Sequence, residues 1–283
     1  MKKILVTGAS GYIGRHVVKR LLDMGHDVVA ADLVFNGVDE RARRCDVPIF
    51  DGTPDIYERL GRPDAAIHLA WRDGFVHNSD RHMLELSNHI RFCRDMMAGG
   101  LPMLSVMGTM HEVGYWEGAI DENTPCKPLS QYGVAKNALR QSLMLSAQGA
   151  GCKLHWLRAY YITGDDSRAS NIFSKLVKAA EEGKKEFPFT SGKNRYDFID
   201  IDELAHMIAV ASLDEEETGI INVCTGEPIS LGERVERFIA EHQLPIRLQY
   251  GVFPDRAYDS PGVWGDATRI KNILKRYEQR GTV

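Results

Sequence analysis

The sequence predicts an α/β protein: a doubly wound parallel sheet with a smaller α/β lobe. Three observations carry this. A glycine-rich turn, Thr7-Gly8-Ala9-Ser10-Gly11-Tyr12-Ile13-Gly14, stands between the apolar run Ile4-Leu5-Val6 and a helix-like run from Arg15 to Met24. Short apolar runs then alternate with helical segments as far as Ala159. Past Gly164 the segments become shorter and richer in turns. The expected division is 1–164 for the first domain and 165–283 for a smaller lobe interleaved with it, since no Pro/Gly/Ser linker separates them.

The opening turn has the spacing G-x-x-G-x-x-G. Gly8 permits a tight turn, Gly11 lets a pyrophosphate approach the backbone, and Gly14 lets the helix lie near the strand. The helix N-terminus offers unpaired N–H groups and the positive end of its dipole. A Rossmann-like cofactor cradle is therefore expected over Gly8, Ser10, Gly11, Tyr12, Ile13 and Gly14. A second apolar run, Val28-Val29-Ala30-Ala31, ends in Asp32. A carboxylate there suits an adenosine ribose and repels a 2′-phosphate, which favours NAD over NADP. Arg41, Arg43 and Arg44 are the opposing hint: a phosphate site or a solvated face.

The elements follow in order. Thr53-Pro54 reads as the cap and first residue of a helix to Leu60. Ala65 to Ala70 reads as a buried strand, followed by a polar loop from Trp71 to Asn78. A helix is expected from Asp80 to Met97, closed by Gly99-Gly100. Met103–Met107 is the next strand, and a loop to Leu129 carries His111, Tyr115 and Trp116. A helix from Ser130 to Ala147 and a strand from Lys153 to Ala159 complete the first part. In the lobe, helices are expected near Ser174–Glu182, Asp202–Leu213 and Leu231–His242.

Composition narrows the function. A net charge of −4 over 283 residues gives neither a nucleic-acid footprint nor a polybasic membrane patch. Five cysteines, none paired as C-x-x-C, suggest small core residues in a reducing compartment, with no metal site and no disulfide framework. The N-terminus runs directly into the first strand, and no apolar run approaches membrane-helix length. A cytoplasmic protein is expected.

Tyr132-Gly133-Val134-Ala135-Lys136 carries the chemistry. Positions i and i+4 share one helix face, so Tyr132 and Lys136 project together. A free tyrosine has a pKa near ~10 and is a poor base, and a neighbouring ammonium favours the phenolate. Such a pair serves as general acid/base for an alcohol or ketone undergoing hydride transfer to a nicotinamide.

Taken together, the chain resembles the extended short-chain dehydrogenases/reductases of the nucleotide-sugar epimerase/dehydratase/reductase group. The resemblance rests on Thr7–Gly14, Asp32, Asp46, His68-Leu69-Ala70, Asn88, Thr109, Tyr132/Lys136, Arg158, Asn171, Asp197–Ala205, Ile221–Gly226 and Arg256–Asp259. It implies a catalytic trio of Thr109, Tyr132 and Lys136. It places Asp46, Leu69, Ala70 and Asn88 beside the cofactor, with Tyr132 and Lys136. Asn171 would contact the substrate's pyrophosphate or base. Arg256 would grip the pyrophosphate, and Asp259 would bind the nucleoside ribose. Trp71 and Tyr161, which follow strand ends, are further candidates for substrate contact, as are His111 and Arg195. The resemblance also implies a homodimer through the helices near 80–97 and 130–147.

Departures select among reactions. The dehydratases follow Thr with Asp and Glu; here Met110 and His111 follow Thr109, so dehydration is disfavoured. Glu112 stands one place further on. The resemblance thus implies an NAD(P)-dependent epimerase acting on a nucleotide-linked sugar by Tyr-assisted hydride transfer. The alternative is an NAD(P)H-dependent 4-keto-sugar reductase. A non-catalytic dinucleotide sensor would be expected to lack the Tyr or the Lys, and both are present.

Overall fold

The computed structural model describes residues 1–164, 171–255 and 259–281. In chain order the first half contains β1 (Lys3–Thr7), α1 (Gly14–Asp23), β2 (Asp27–Ala31), β3 (Arg43–Cys45), α2 (Ile56–Arg59), β4 (Ala65–His68), α3 (Arg81–Leu84), α4 (Leu86–Ala98), β5 (Met103–Thr109), β6 (Gly118–Ile120), α5 (Gln131–Ala150), β7 (Lys153–Ala159) and β8 (Tyr161–Thr163). The second half adds α6 (Ile172–Glu181), β9 (Glu186–Pro188), β10 (Arg195–Tyr196), β11 (Phe198–Asp200), α7 (Ile201–Ala211), β12 (Gly219–Val223), β13 (Ile229–Ser230), α8 (Leu231–Glu241), β14 (Arg247–Gln249), β15 (Gly262–Gly265) and α9 (Thr268–Gly281).

Seven parallel strands form the main sheet in the order β12-β7-β5-β4-β1-β2-β3. Strand order reverses between β1 and β4, which opens a crevice at their carboxyl ends. Both faces are covered over the central strands, which are mostly apolar, whereas the edge strand β3 is not. Alternate residues serve opposite layers. In β1, Ile4 and Val6 pack with α1 and α7, whereas Leu5 packs on the other side with Phe92 and Met96 of α4 and Leu139 of α5.

The chain past residue 164 serves both parts. β12 joins the main sheet beside β7, and α7 packs between α1 and α9. A separate apolar cluster of Phe173, Leu176, Phe189, Val235, Phe238 and Ile246 lies between α6 and α8. A four-stranded sheet, β13-β10-β15-β6, draws β6 from the β5–α5 connection and β15 from near the C-terminus. Asp197 ties these pieces together. Its fully buried carboxylate accepts from the Thr225 N–H (3.0 Å) and hydroxyl (2.6 Å), the Gly226 N–H (2.9 Å) and the Gly265 N–H (3.3 Å).

Three elements differ from expectation. The helix expected over 80–97 is broken at Glu85 into α3 and α4. The helix after Thr53-Pro54 shrinks to one turn, α2. The basic patch forms an edge strand, β3, where Arg43 pairs with Asp27 at 2.7 Å and the neighbouring Arg41 pairs with Asp23 and Asp39, each at 2.7 Å. Among the described residues no helix is long and apolar enough to cross a membrane.

Candidate active site

The opening turn is held by backbone crowding. Gly8 has φ +69°, and a Cβ on it would stand 2.6 Å from the Ala70 nitrogen. A Cβ on Gly14 would stand 2.0 Å from the Gly8 carbonyl oxygen. The two glycines thus let β1, α1 and the end of β4 converge on one point. Beside it lies a cleft of about 530 Å³ lined by Gly8, Ser10, Gly11, Asp32, Asp46, Val47, Leu69, Ala70, Trp71 and His89, among others. Asp32 accepts from the Ser10 N–H and hydroxyl (both 2.8 Å) and from the Leu33 N–H (2.7 Å), which fixes its carboxylate at the end of β2. Arg41 and Arg43 are engaged with carboxylates, so the basic patch reads as a solvated, paired face.

Several expected cofactor residues stand elsewhere. The Tyr12 hydroxyl donates to the Gly164 carbonyl at 2.6 Å and does not line the cleft. Ile13 precedes α1 and packs against the main core, and Gly14 acts through backbone clearance. Asn88 lies off the cleft beside Arg91, while the next residue, His89, faces it. A helix continuous from Asp80 would be phased differently; the break at Glu85 sets the rotation of α4. Behind the cleft runs a buried chain: the Thr7 hydroxyl meets His68 Nδ1 at 2.8 Å, and His68 Nε2 meets His89 Nδ1 at 2.9 Å. Burial pushes both imidazoles down, His89 to about 3, so the chain is neutral. His68 is thus a satisfied core residue.

Thr109 closes β5, and Ser130 caps α5 by accepting from the Gly133 N–H at 3.1 Å. These two ends bring the Thr109 hydroxyl beside the Tyr132 phenol, where it offsets part of that phenol's upward shift. Tyr132 donates its backbone N–H to the His77 carbonyl at 2.9 Å. Burial, and then the Glu112 carboxylate, push the Tyr132 phenol above its usual value. Lys136 is buried; it donates to the Met107 carbonyl at 2.8 Å, and its Nζ lies 3.8 Å from the centre of the Trp71 ring. Burial lowers its pKa to about 7. The expected sharpening of the phenol by the amine is therefore outweighed by shared burial in this arrangement.

A smaller cavity of about 270 Å³ lies on the far side of Tyr132. Its lining includes His77, Met110, His111, Tyr161, Tyr196 and Asp259. The His77 ring stacks on Tyr132 (5.6 Å, 12°) and meets His111 at 4.4 Å. Burial holds His111 neutral, with a pKa of about 4. His111, Tyr161 and Asp259 thus share one cavity, and the Thr109 hydroxyl accepts from the His111 N–H at 3.3 Å. Three other expected substrate residues are described and do not line that cavity. Trp71 lines the larger cleft instead. Asn171 caps α6, accepting from the Ser174 N–H at 3.0 Å. Arg195 donates to the Pro228 carbonyl at 2.7 Å on another surface. Arg256 lies outside the described residues.

Glu112 points away from both cavities into the core. It accepts from the Thr109 N–H (2.7 Å) and Trp156 Nε1 (2.9 Å) and pairs with Arg140 (3.2 Å) and Arg158 (3.5 Å). A carboxylate committed to two guanidinium groups is not available to a sugar. Sequence reasoning also missed His77, His82 and His89. Nothing in their spacing signals a cluster, because it forms only when β4, the loop after it and α5 converge.

A profile of the NAD dependent epimerase/dehydratase family matches residues 4–224. The chain belongs to that family. It is 44% identical over 271 residues to a dTDP-6-deoxy-L-talose 4-dehydrogenase (NAD(+)) of Aggregatibacter actinomycetemcomitans, covering 93% of this chain and 98% of that one. It is 25% identical to a putative UDP-glucose 4-epimerase of Methanocaldococcus jannaschii, over 98% of this chain and 92% of that one. Among solved structures, the UDP-glucose 4-epimerase of Thermotoga maritima superposes with a TM-score of 0.79 at 20% identity, covering 95% of this chain and 91% of that one, a likeness of fold. The protein is an NAD-dependent enzyme of the nucleotide-sugar oxidoreductase/epimerase class.

One stability consequence follows from Lys136. Its folded-state pKa, about 7, lies below the ordinary 10.5. Between these values the unfolded chain holds a proton that the folded chain lacks, so this group makes stability rise with pH. Below pH 7 the full penalty applies, on the order of 5 kcal/mol at about 1.4 per unit. Losing the bond to Met107 gives back about 1–3 kcal/mol. Lys136→Met should therefore unfold in urea later than wild type at pH 7, by roughly 2–4 kcal/mol. That lead should vanish towards pH 10.5; a variant less stable at pH 7 would refute the argument.

Proposed function

We propose that this enzyme interconverts the C4 hydroxyl and C4 ketone of a deoxythymidine-diphosphate-linked 6-deoxyhexose, releasing the reduced nicotinamide at each oxidation. The observation that carries this is the 44% identity with a 4-dehydrogenase along nearly the whole of both chains, against 23–26% for the epimerase relatives. The family's cofactor fits the larger cleft. A Cβ would close the cradle at Gly8 and Gly14, and Asp32 presents a fixed carboxylate where a ribose would be bound. NAD, when bound, supplies the hydride acceptor.

The residues divide the remaining work. Tyr132 takes the proton from the C4 hydroxyl on oxidation and returns it on reduction. Thr109, beside that phenol, orients the reacting oxygen. Lys136 holds the nicotinamide ribose. His111, Tyr161 and Asp259 bind the nucleotide-sugar in the smaller cavity, whose wall Tyr196, Ser260 and Val263 help to complete. Met110 carries no proton and Glu112 is turned away, so the residues that follow Thr109 offer no carboxylate for water loss, which disfavours dehydration. A homodimer through α4 and α5 belongs to the same reading: Val134 and Leu145 are exposed on α5.

The test is incubation with dTDP-6-deoxy-L-talose and NAD. Reduced nicotinamide should accumulate in step with a C4 ketone. Formation of the C4 epimer with no net change in nicotinamide would instead establish the epimerase reading.

A further inference from the structure

We propose that Trp71 is the positioning residue that seats the Lys136 ammonium beside Tyr132, using the face of its indole; the inference rests on the role given to Lys136 above. Lys136 Nζ lies 3.8 Å from the Trp71 ring centre, well inside the reach of a cation–π contact. Its Nζ donates a hydrogen bond to the Met107 carbonyl at 2.8 Å. A buried ammonium has three donors to satisfy. The indole face therefore supplies the second favourable surface for the charge.

The indole is itself fixed on several sides. Its Nε1–H donates to His82 Nδ1 at 3.0 Å, and His82 Nε2–H donates to the Val76 carbonyl at 3.0 Å. One neutral tautomer of His82 satisfies both bonds. His89 stacks on the Trp71 ring at 4.4 Å and 27°, and His82 at 6.0 Å and 19°. Trp71 thus cannot rotate off Lys136 without giving up a hydrogen bond and a stacked neighbour. An aliphatic residue at 71 would fill part of the space and offer no negative face.

Other groups act on Lys136 from the elements packed around it. Glu112 and Cys93 favour its charge, whereas the imidazoles of His68 and His89 are themselves held neutral with Lys136 nearby. The Tyr132 ring lies 5.9 Å away, a weaker second face. Glu112 and Cys93 do not touch Trp71 in any of its stacking or hydrogen-bond contacts, and comparing an aliphatic with an aromatic replacement separates the ring face from the loss of packing on His89.

The test is direct titration of Lys136 in the whole protein carrying carbon-13 at lysine Cε. Its resonance is assigned by its loss in Lys136→Met. Trp71→Leu should lower the Lys136 midpoint by about one pH unit, a tenfold fall in its protonation constant. Trp71→Phe, which keeps an aromatic face, should recover most of the shift. An unchanged midpoint in Trp71→Leu, a rise caused by water reaching the amine, or an equal shift in Trp71→Phe would each overturn the proposal. Failure of the underlying reading would look different: Lys136→Met would then bind NAD as tightly as wild type, whatever the titration shows.

Discussion

Tyr132→Phe is expected to lower turnover by about a hundred- to ten-thousandfold, the usual worth of a positioned general acid/base. NAD binding should survive, because the cradle at Gly8, Gly14 and Asp32 does not touch the phenol. The loss should be in the chemical step, so kcat should fall more than KM changes. The wild-type pH profile checks the same assignment. Burial and Glu112 raise the Tyr132 pKa, so the phenol is protonated across neutral pH. Reduction of the ketone needs the phenol and should be flat there. Oxidation of the alcohol needs the phenolate and should climb with pH. Full turnover in the variant, or an oxidation rate that falls as pH rises, would remove Tyr132 from the reaction.

Glu112→Gln is expected to cost about 3–5 kcal/mol of stability, because it leaves Arg158 and Arg140 in the core without their carboxylate. Arg158 is fully buried, as is Glu112. Arg158 also donates to the Asp121 carbonyl at 3.1 Å and to Cys126 Sγ at 3.9 Å, neither of which can neutralise it. Glutamine keeps the shape and can still accept from the Thr109 N–H and Trp156, so the effect reads the charge alone. Thermal unfolding should begin roughly 10 °C lower, since about 1 kcal/mol shifts Tm by ~2–4 °C in a domain approaching this size. A second change, Arg140→Met, should recover part of the loss by removing one of the stranded charges. An unaltered Tm would mean that Glu112 is protonated or solvated in solution.

Much of the catalytic half was legible from residue types and spacing. Glycines at 8, 11 and 14 between an apolar run and a helix could hardly be anything but a strand-to-helix turn. The steric numbers at Gly8 and Gly14 show why other residues are barred there. The i, i+4 spacing of Tyr132 and Lys136 put both on one face before any coordinates were known. The substrate side was less legible. Asn171 and Arg195 have the right residue types, yet one caps a helix and the other bonds a carbonyl on a different surface. Which of several polar residues faces a cavity depends on loop paths, and local sequence does not encode those.

The chain's own order of residues determined the parallel sheet, the cradle and the pairing of phenol with amine, because each depends on periodicities of two or 3.6 residues and on the sterics of glycine. Tertiary structure alone decided which charges those groups carry. Burial beneath Trp71 and against β5 lowers the amine and raises the phenol, while Glu112 is turned away to two arginines. Proton affinity depends on the dielectric and on neighbours brought from distant parts of the chain, and only folding assembles those.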